Sequence, residues 1–188
     1  RRAMAAETSG NLEQARALYR QALALDPGQA LVHARLGELL LAAGQSDAAA
    51  ASLSQAVALD ATTVPDRPQL ARRLAEAYVE LESAAFRDKT QAEIKRDELK
   101  KANPAGAGQQ QTQANQAEGV MKAARKKAID NYTIIVNEYP TYSGLDEVLY
   151  YLAYEYEQAN DLANARRVYF DLIKKAPQSK YIPNAYLA

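Results

Sequence analysis

Few side chains in this sequence of 188 residues could perform chemistry. It has no cysteine and one histidine, His33, which excludes thiolate catalysis, cysteine-ligated zinc and any cluster of imidazole ligands. No nucleophile stands at a motif spacing around His33, so we interpret it as a packing or capping residue. No glycine-rich phosphate loop is present either. The sequence therefore predicts no catalytic residue, no cofactor and no metal, and a protein that is not an enzyme.

Charge and hydropathy narrow the function further. The 23 basic and 23 acidic side chains give a net charge of zero, which disfavours a nucleic-acid-binding protein because such proteins carry a net basic face. No run of apolar residues is long enough for a transmembrane helix. The alanine- and leucine-rich composition favours helices.

A repeat of 34 residues supplies those helices. Residues 11–27 and 45–61 align at this offset, which places Ala15 on Ala49 and Tyr19 on Leu53. Residues 125–140 and 161–177 are further copies of the same helix. A second kind of helix precedes it and carries a large-small-large triplet, which indicates a buried stripe with close helix approach. The triplets are Leu36-Gly37-Leu40, Leu74-Ala75-Tyr78 and Leu152-Ala153-Tyr156.

This helix–turn–helix unit resembles the tetratricopeptide repeat. The resemblance implies an all-α, right-handed superhelix whose helix pairs turn near Gly10, Gly44 and Asn160. Both ends fall inside a repeat, so we expect the sequence to be part of a longer array. The predicted units are a partial repeat at 1–29, repeats at 30–63, 68–142 and 146–179, and the start of a truncated repeat at 181–188.

The third repeat contains an insertion of 41 residues relative to the second. Helix-forming residues fill 79–101, and a breaker cluster follows at 103–108, so we predict a helical-hairpin arm over about 79–127 with its tip near 103–108. The seam expected between its helices (Leu81, Ala85, Ala92 and Leu99) is weakly apolar. The glutamine-rich stretch after the tip is either helical or disordered.

The arm is also basic, with ten cationic and five anionic side chains between 86 and 127. One interpretation is a solvated helical face, and the other is a docking surface for an acidic partner or anionic lipid headgroups. The candidate docking residues are Lys95, Arg96, Lys100, Lys101, Lys122, Arg125, Lys126 and Lys127.

The resemblance also implies a binding groove. Tetratricopeptide arrays bind peptides or helices on the inner face, through positions 2, 5, 9, 12 and 13 of each first helix. The lysine, asparagine and arginine residues that grip a C-terminal carboxylate in co-chaperones are absent. The groove is predicted to be acidic with aromatic contacts, and to bind protein segments with basic and apolar side chains, whereas Tyr151 and Tyr156 are expected to pack. The candidate groove residues are Glu38, Arg72, Glu76, Glu147, Tyr150, Tyr154 and Glu157.

Ten of the 12 tyrosines follow residue 130. This part, with helix pairs closed by Tyr-Pro or Ala-Pro and then Ser179 and Tyr181, resembles BamD-type outer-membrane assembly lipoproteins and the envelope tetratricopeptide proteins of gliding bacteria. The resemblance implies a scaffold in a multiprotein complex of the bacterial envelope, in the periplasm or at the outer membrane, associated with the membrane only through partners. A cytoplasmic regulatory module of a larger signalling protein or enzyme is the alternative. An RNA-binding helical repeat is disfavoured, because that class has a 35-residue period and a basic inner face.

Overall fold

The described part of the chain consists of helices joined by turns and contains no strand. The computed structural model describes residues 1–59 and 66–187, so the predicted end of the second repeat at 63 and the last residue of 181–188 lie outside the described residues. The helices are α1 (Arg2–Thr8), α2 (Leu12–Leu25), α3 (Ala30–Ala42), α4 (Ser46–Ala58), α5 (Arg67–Leu99), α6 (Pro104–Glu138), α7 (Leu145–Gln158), α8 (Leu162–Lys175) and α9 (Ile182–Leu187).

Each helix packs against the next one along the chain, as in an α-solenoid. The predicted all-α solenoid with a long helical hairpin is thereby confirmed. Its core contains the aligned positions of the repeat: the small residues Ala15, Ala49 and Ala128 are completely buried, and Leu53 and Tyr132 one turn later are at most 2 % exposed. Equivalent positions of the repeat therefore occupy equivalent packing environments, including those of the repeat that carries the insertion.

Three helix turns use the same backbone motif. Gly10, Gly44 and Asn160 have positive φ values of 79°, 71° and 60°, as the sequence predicts for these turns. In each case the next residue donates its backbone N–H to the carbonyl five positions earlier, for example Gln45 to Leu40 at 2.9 Å. This pattern is a Schellman motif, which requires a left-handed residue and so selects glycine or asparagine.

The arm is an antiparallel helical hairpin built by α5 and α6. Its 33-residue first helix begins with the Asp66 side chain accepting from the Gln69 backbone at 3.1 Å, and the second helix begins with Asn103 accepting from Gly106 at 3.0 Å. The glutamine-rich stretch is helical. The tip lies at 100–103 rather than 103–108, because Pro104 occupies the first helical turn, where its missing N–H costs nothing.

The seam of the arm repeats every seven residues. Two positions of each seven-residue unit face the partner helix. Alanines occupy the first of these positions, and Ala92 and Ala114 are examples that are 5 % and 1 % exposed. Leu81, which the sequence analysis placed in this seam, is only half-buried. The other seam position holds polar pairs across the hairpin, namely Glu82 with Arg125, Lys89 with Glu118 and Arg96 with Gln111. Polar pairs at such positions fix register at a cost in stability, so these contacts hold the two helices in alignment.

Candidate functional site

An open cavity of about 690 Å³ lies where the first helices of three repeats meet. Helices α3, α5 and α7 contribute most of its walls, and Tyr132 of α6 contributes the rest. This cavity, called the central cavity below, is lined by Arg35, Glu38, Leu41, Ala42, Arg73, Glu76, Val79, Glu80, Tyr132, Glu147 and Tyr151.

One register position accounts for the main difference from the predicted groove. Arg35, Arg73 and Tyr151 occupy position 6 of their first helices, a position outside the set used for the prediction, and all three line the cavity. Four glutamates and two arginines share the wall, so the cavity is less acidic than predicted. Position 6 holds a long side chain in all three repeats, and this shared feature is the sequence signal that could have located these residues.

Ion pairs hold several of these side chains in place. Arg35 contacts Glu38 at 3.3 Å and Arg73 contacts Glu76 at 2.8 Å, each one turn along its helix. Exposed pairs of this kind contribute little to stability, so separating them costs little free energy. Glu80 has no hydrogen-bond or ion-pair partner among the residues described, so it is available to an incoming cation.

Arg72 lies outside the cavity lining and connects two helices that form the lining, α5 and α7. It contacts Glu76 of its own helix at 2.9 Å and Glu147 of α7 at 3.0 Å. Glu147 also accepts a hydrogen bond from the Tyr181 hydroxyl at 3.1 Å. These contacts orient the two carboxylates, which is how the predicted groove residues Arg72, Glu76 and Glu147 come together.

A cluster of tyrosine rings continues from the cavity toward α9. Tyr151 is 37 % exposed, stacks on buried Tyr132 at 6.5 Å between ring centroids, and meets Tyr150 edge-on at 5.4 Å. Tyr150 in turn stacks on Tyr181 at 4.6 Å. Burial is the largest cause that raises the pKa of Tyr151, and nearby Tyr181 and Glu147 raise it further. Its hydroxyl therefore stays neutral and able to donate a hydrogen bond.

The predicted roles of the α7 tyrosines require a correction. Tyr151, expected to pack, is exposed at the cavity, because its position on α7 faces α5 and α6. Tyr150 is half-buried against the core, and Tyr156 packs there as expected. Tyr154 is 42 % exposed but lies outside the cavity lining.

Glu157 is the remaining groove candidate, and it too lies outside the cavity lining. It accepts a hydrogen bond from the buried Tyr169 hydroxyl at 3.2 Å. Tyr19 makes the equivalent contact to Glu7 at 2.8 Å in the first helix pair. Burial, followed by the hydrogen bond to Glu7, raises the pKa of Tyr19 to about 12. This recurring Tyr–Glu contact gives Glu157 a packing role within its repeat.

The basic arm residues divide into two groups. Arg96, Lys122, Arg125 and Lys127 are engaged by other residues of the chain: Arg96 by Asp97 and Gln111, Lys122 by Glu118, Arg125 by Glu82, and Lys127 by the ring of Tyr78. The other four are exposed without a partner in the described part of the chain: Lys95, Lys100, Lys101 and Lys126. Lys100 and Lys101 lie at the tip of the hairpin.

The described ranges, 1–59 and 66–187, contain no group of three or more histidine, aspartate or glutamate side chains that could hold a metal ion. No helix in those ranges is both long enough and apolar enough to cross a membrane. The Nε2 atom of His33 lies 3.0 Å from the carbonyl oxygen of Pro27 in the turn between α2 and α3, and the sequence predicts a packing or capping role for this histidine.

Comparisons with known proteins agree with the repeat assignment. Residues 7–66 match one tetratricopeptide repeat family, and residues 147–179 match another. These two matches support the tetratricopeptide repeat family for this chain. Proteins built from such repeats generally mediate protein–protein interactions without being enzymes. No curated protein sequence matches significantly.

Three solved structures are similar to the chain at low sequence identity. YrrB, described as a TPR protein with an unusual peptide-binding site, is 17 % identical, with 99 % of this chain and 89 % of YrrB covered and a TM-score of 0.39. MamA is 18 % identical over 94 % of this chain and 95 % of its own, with a TM-score of 0.37. TTC0263, a thermophilic TPR protein of Thermus thermophilus, is 21 % identical over 99 % and 96 %, with a TM-score of 0.38.

Proposed function

We propose that this protein is a non-enzymatic scaffold that binds a segment of another protein in the central cavity. The observation that carries this proposal is the cavity of about 690 Å³ built jointly by three successive repeats. A cavity of this size accommodates several side chains of an extended or helical segment.

The lining indicates what kind of segment fits. Glu80 offers an unpaired carboxylate among the described residues, and Tyr151 offers an exposed ring that is already held by Tyr132. Leu41 and Val79 add apolar surface to the same cavity. A partner with basic and apolar side chains satisfies this surface, since a carboxylate and the face of an aromatic ring each attract a cation.

Replacing Tyr151 by alanine should weaken such binding about 30-fold, which corresponds to about 2 kcal/mol at a hot-spot tyrosine. The reason is that its stacked ring loses no further rotamer freedom on binding. The probe is a peptide selected from a library rich in lysine, arginine and leucine, titrated by calorimetry. Circular dichroism checks that the variant remains helical.

Tyr154→Ala is the matched control, because Tyr154 lies on the same helix with similar exposure but outside the cavity lining. It should change affinity less than twofold. A larger loss for Tyr154→Ala than for Tyr151→Ala would contradict the proposed site. Full affinity in Tyr151→Ala, combined with loss in Lys100→Ala/Lys101→Ala, would move the binding site to the arm.

We also propose that the partner belongs to a multiprotein complex of the bacterial envelope, in which this chain takes part from the periplasmic or outer-membrane side. The support is the tyrosine-rich closing part of the sequence, which resembles envelope tetratricopeptide proteins. In its native host the protein should co-fractionate with the outer membrane and be released by high salt or urea. Recovery in the cytoplasmic fraction would favour a regulatory module of a larger protein.

A further inference from the structure

A buried charge cluster joins the arm to the fourth repeat. Glu82 of α5, Arg125 of α6 and Glu155 of α7 have side chains only 12 %, 16 % and 3 % exposed. The Nε atom of Arg125 donates to Glu82 Oε1 at 2.9 Å, and its Nη1 atom donates to the Gln158 carbonyl at 2.6 Å. The same Nε atom lies 3.8 Å from Glu155 Oε2. Three helices therefore meet at one guanidinium.

The cluster holds two carboxyl groups for one cation. Glu82 Oε2 and Glu155 Oε2 are both buried and have no hydrogen-bond partner. The two carboxyl groups are neighbours, because the same Arg125 Nε atom lies 2.9 Å from Glu82 Oε1 and 3.8 Å from Glu155 Oε2. A single proton shared between them would supply the missing hydrogen bond and make the cluster neutral, which removes the cost of an uncompensated buried charge.

The surroundings reinforce this preference for a proton. Burial raises the pKa of Glu155, the nearby Glu82 carboxylate raises it further, and Arg125 opposes both. The charge of Glu155 also acts on the hydroxyl group of Tyr132 on α6. Helix α8 packs on α7 but adds no charged group to those acting on Glu155 in the described part of the chain.

We infer that Glu82, Arg125 and Glu155 form a proton-linked clasp, which holds α7 against the base of the arm while the two carboxyls share a proton and loosens when both are ionised. The clasp goes beyond the binding function proposed above. Because α7 also carries Glu147 and Tyr151, loosening it would move one wall of the central cavity. That consequence alone rests on the proposed function.

The sign of the pH dependence follows from the raised pKa. Between the ordinary glutamate value of 4.5 and its raised value, Glu155 is protonated in the folded protein and ionised in the unfolded chain. The folded state then binds more protons, so its stability falls as pH rises through this range. The stabilising contribution is complete below pH 4.5 and absent above the raised pKa.

Hydrogen exchange of the α7 amides, corrected for intrinsic rates and followed from pH 5 to pH 9, tests the clasp without any partner. The wild-type protein should lose protection at 148–158 at least tenfold relative to Glu155→Gln, because each unit of pKa shift changes an equilibrium tenfold. The glutamine replaces the protonated carboxyl by a neutral amide that can donate to Glu82.

Glu98→Gln is the control, since Glu98 is exposed on α5 and has no partner among the described residues. This variant should follow the wild type at every pH. Equal pH dependence in the wild type and Glu155→Gln would overturn the clasp. Should Glu155→Gln fail to fold, Glu82→Gln places a donor opposite Glu155 and must flatten the same profile. Since no ligand is involved, this outcome is independent of peptide binding at the central cavity.

Discussion

Replacing Arg125 by methionine should lower the free energy of unfolding by about 3–5 kcal/mol, the range expected when one member of a buried ionic cluster is removed. Methionine keeps most of the side-chain volume but leaves Glu82 and Glu155 without their cation. It also removes the hydrogen bond to the Gln158 carbonyl at the end of α7. Urea denaturation followed by circular dichroism measures the loss.

The neighbouring Lys126 provides the matched control for this experiment. It lies on the same helix, is exposed and has no partner in the described part of the chain. Lys126→Met should change stability by no more than about 0.5 kcal/mol. A loss below about 1 kcal/mol for Arg125→Met would show that the cluster contributes little to stability.

The loss in Arg125→Met should also depend on pH. Without the guanidinium, both carboxyls are more easily kept neutral at low pH, because protonation removes the buried charge. The difference from the wild type should therefore be smaller at pH 5 than at pH 8. A larger deficit at pH 5 would contradict the arrangement of charges described above.

The second large effect on the free energy of unfolding is expected at the close contact between α3 and α4. A Cβ atom at Gly37 would meet the Leu53 side chain at 2.5 Å and its backbone nitrogen at 3.2 Å. We therefore expect Gly37→Ala to cost about 1–3 kcal/mol, although alanine is the better helix former. Leu53 is completely buried, so Leu53→Ala should cost about 2–5 kcal/mol through cavity formation.

The double variant Gly37→Ala/Leu53→Ala should lose less than the sum of the two single losses. The new methyl group at position 37 enters space that the shortened side chain at 53 has vacated, which gives a favourable coupling of about 0.5–3 kcal/mol. Gly119→Ala serves as the control, because a Cβ atom added at Gly119 of α6 would have no neighbouring atom within 4 Å. It should stabilise the protein by about 0.5–1 kcal/mol. Strict additivity at 37 and 53 would contradict the contact.

Local signals in the sequence were sufficient for the helix pairs. A left-handed turn residue and a small buried residue are requirements that few amino acids meet, so Gly44, Asn160 and Ala49 mark their positions directly. The aligned 34-residue units then predict that each helix packs on its neighbour, which the structure shows.

The central cavity was only partly predictable. Glu38, Glu76 and Glu147 were found because the family register places them on the inner face, whereas Arg35, Arg73 and Tyr151 were missed one position along. Which side of a first helix faces the cavity depends on how far each repeat rotates relative to the next, and this rotation is set by packing between repeats.

The arm, like the central cavity, was only partly predictable from the sequence. Its helices and breaker cluster were evident from composition, but its polar seam was not recognised, although Glu82, Lys89 and Arg96 recur every seven residues, as do Gln111, Glu118 and Arg125. The sequence places Arg125 in a basic surface because residues 86–127 hold ten cationic and five anionic side chains.

The all-helical class, the repeat period, the turn residues and the existence of a hairpin insertion could be derived from the sequence, since each follows from residue composition and spacing along the chain. The pairing of charges could not, because Arg125 meets Glu82 across 43 residues and the Gln158 carbonyl across 33. Whether a charged side chain faces solvent or a buried partner depends on the packing of distant helices. That packing places Arg125, which the sequence predicted to be a docking residue, at the centre of a buried cluster.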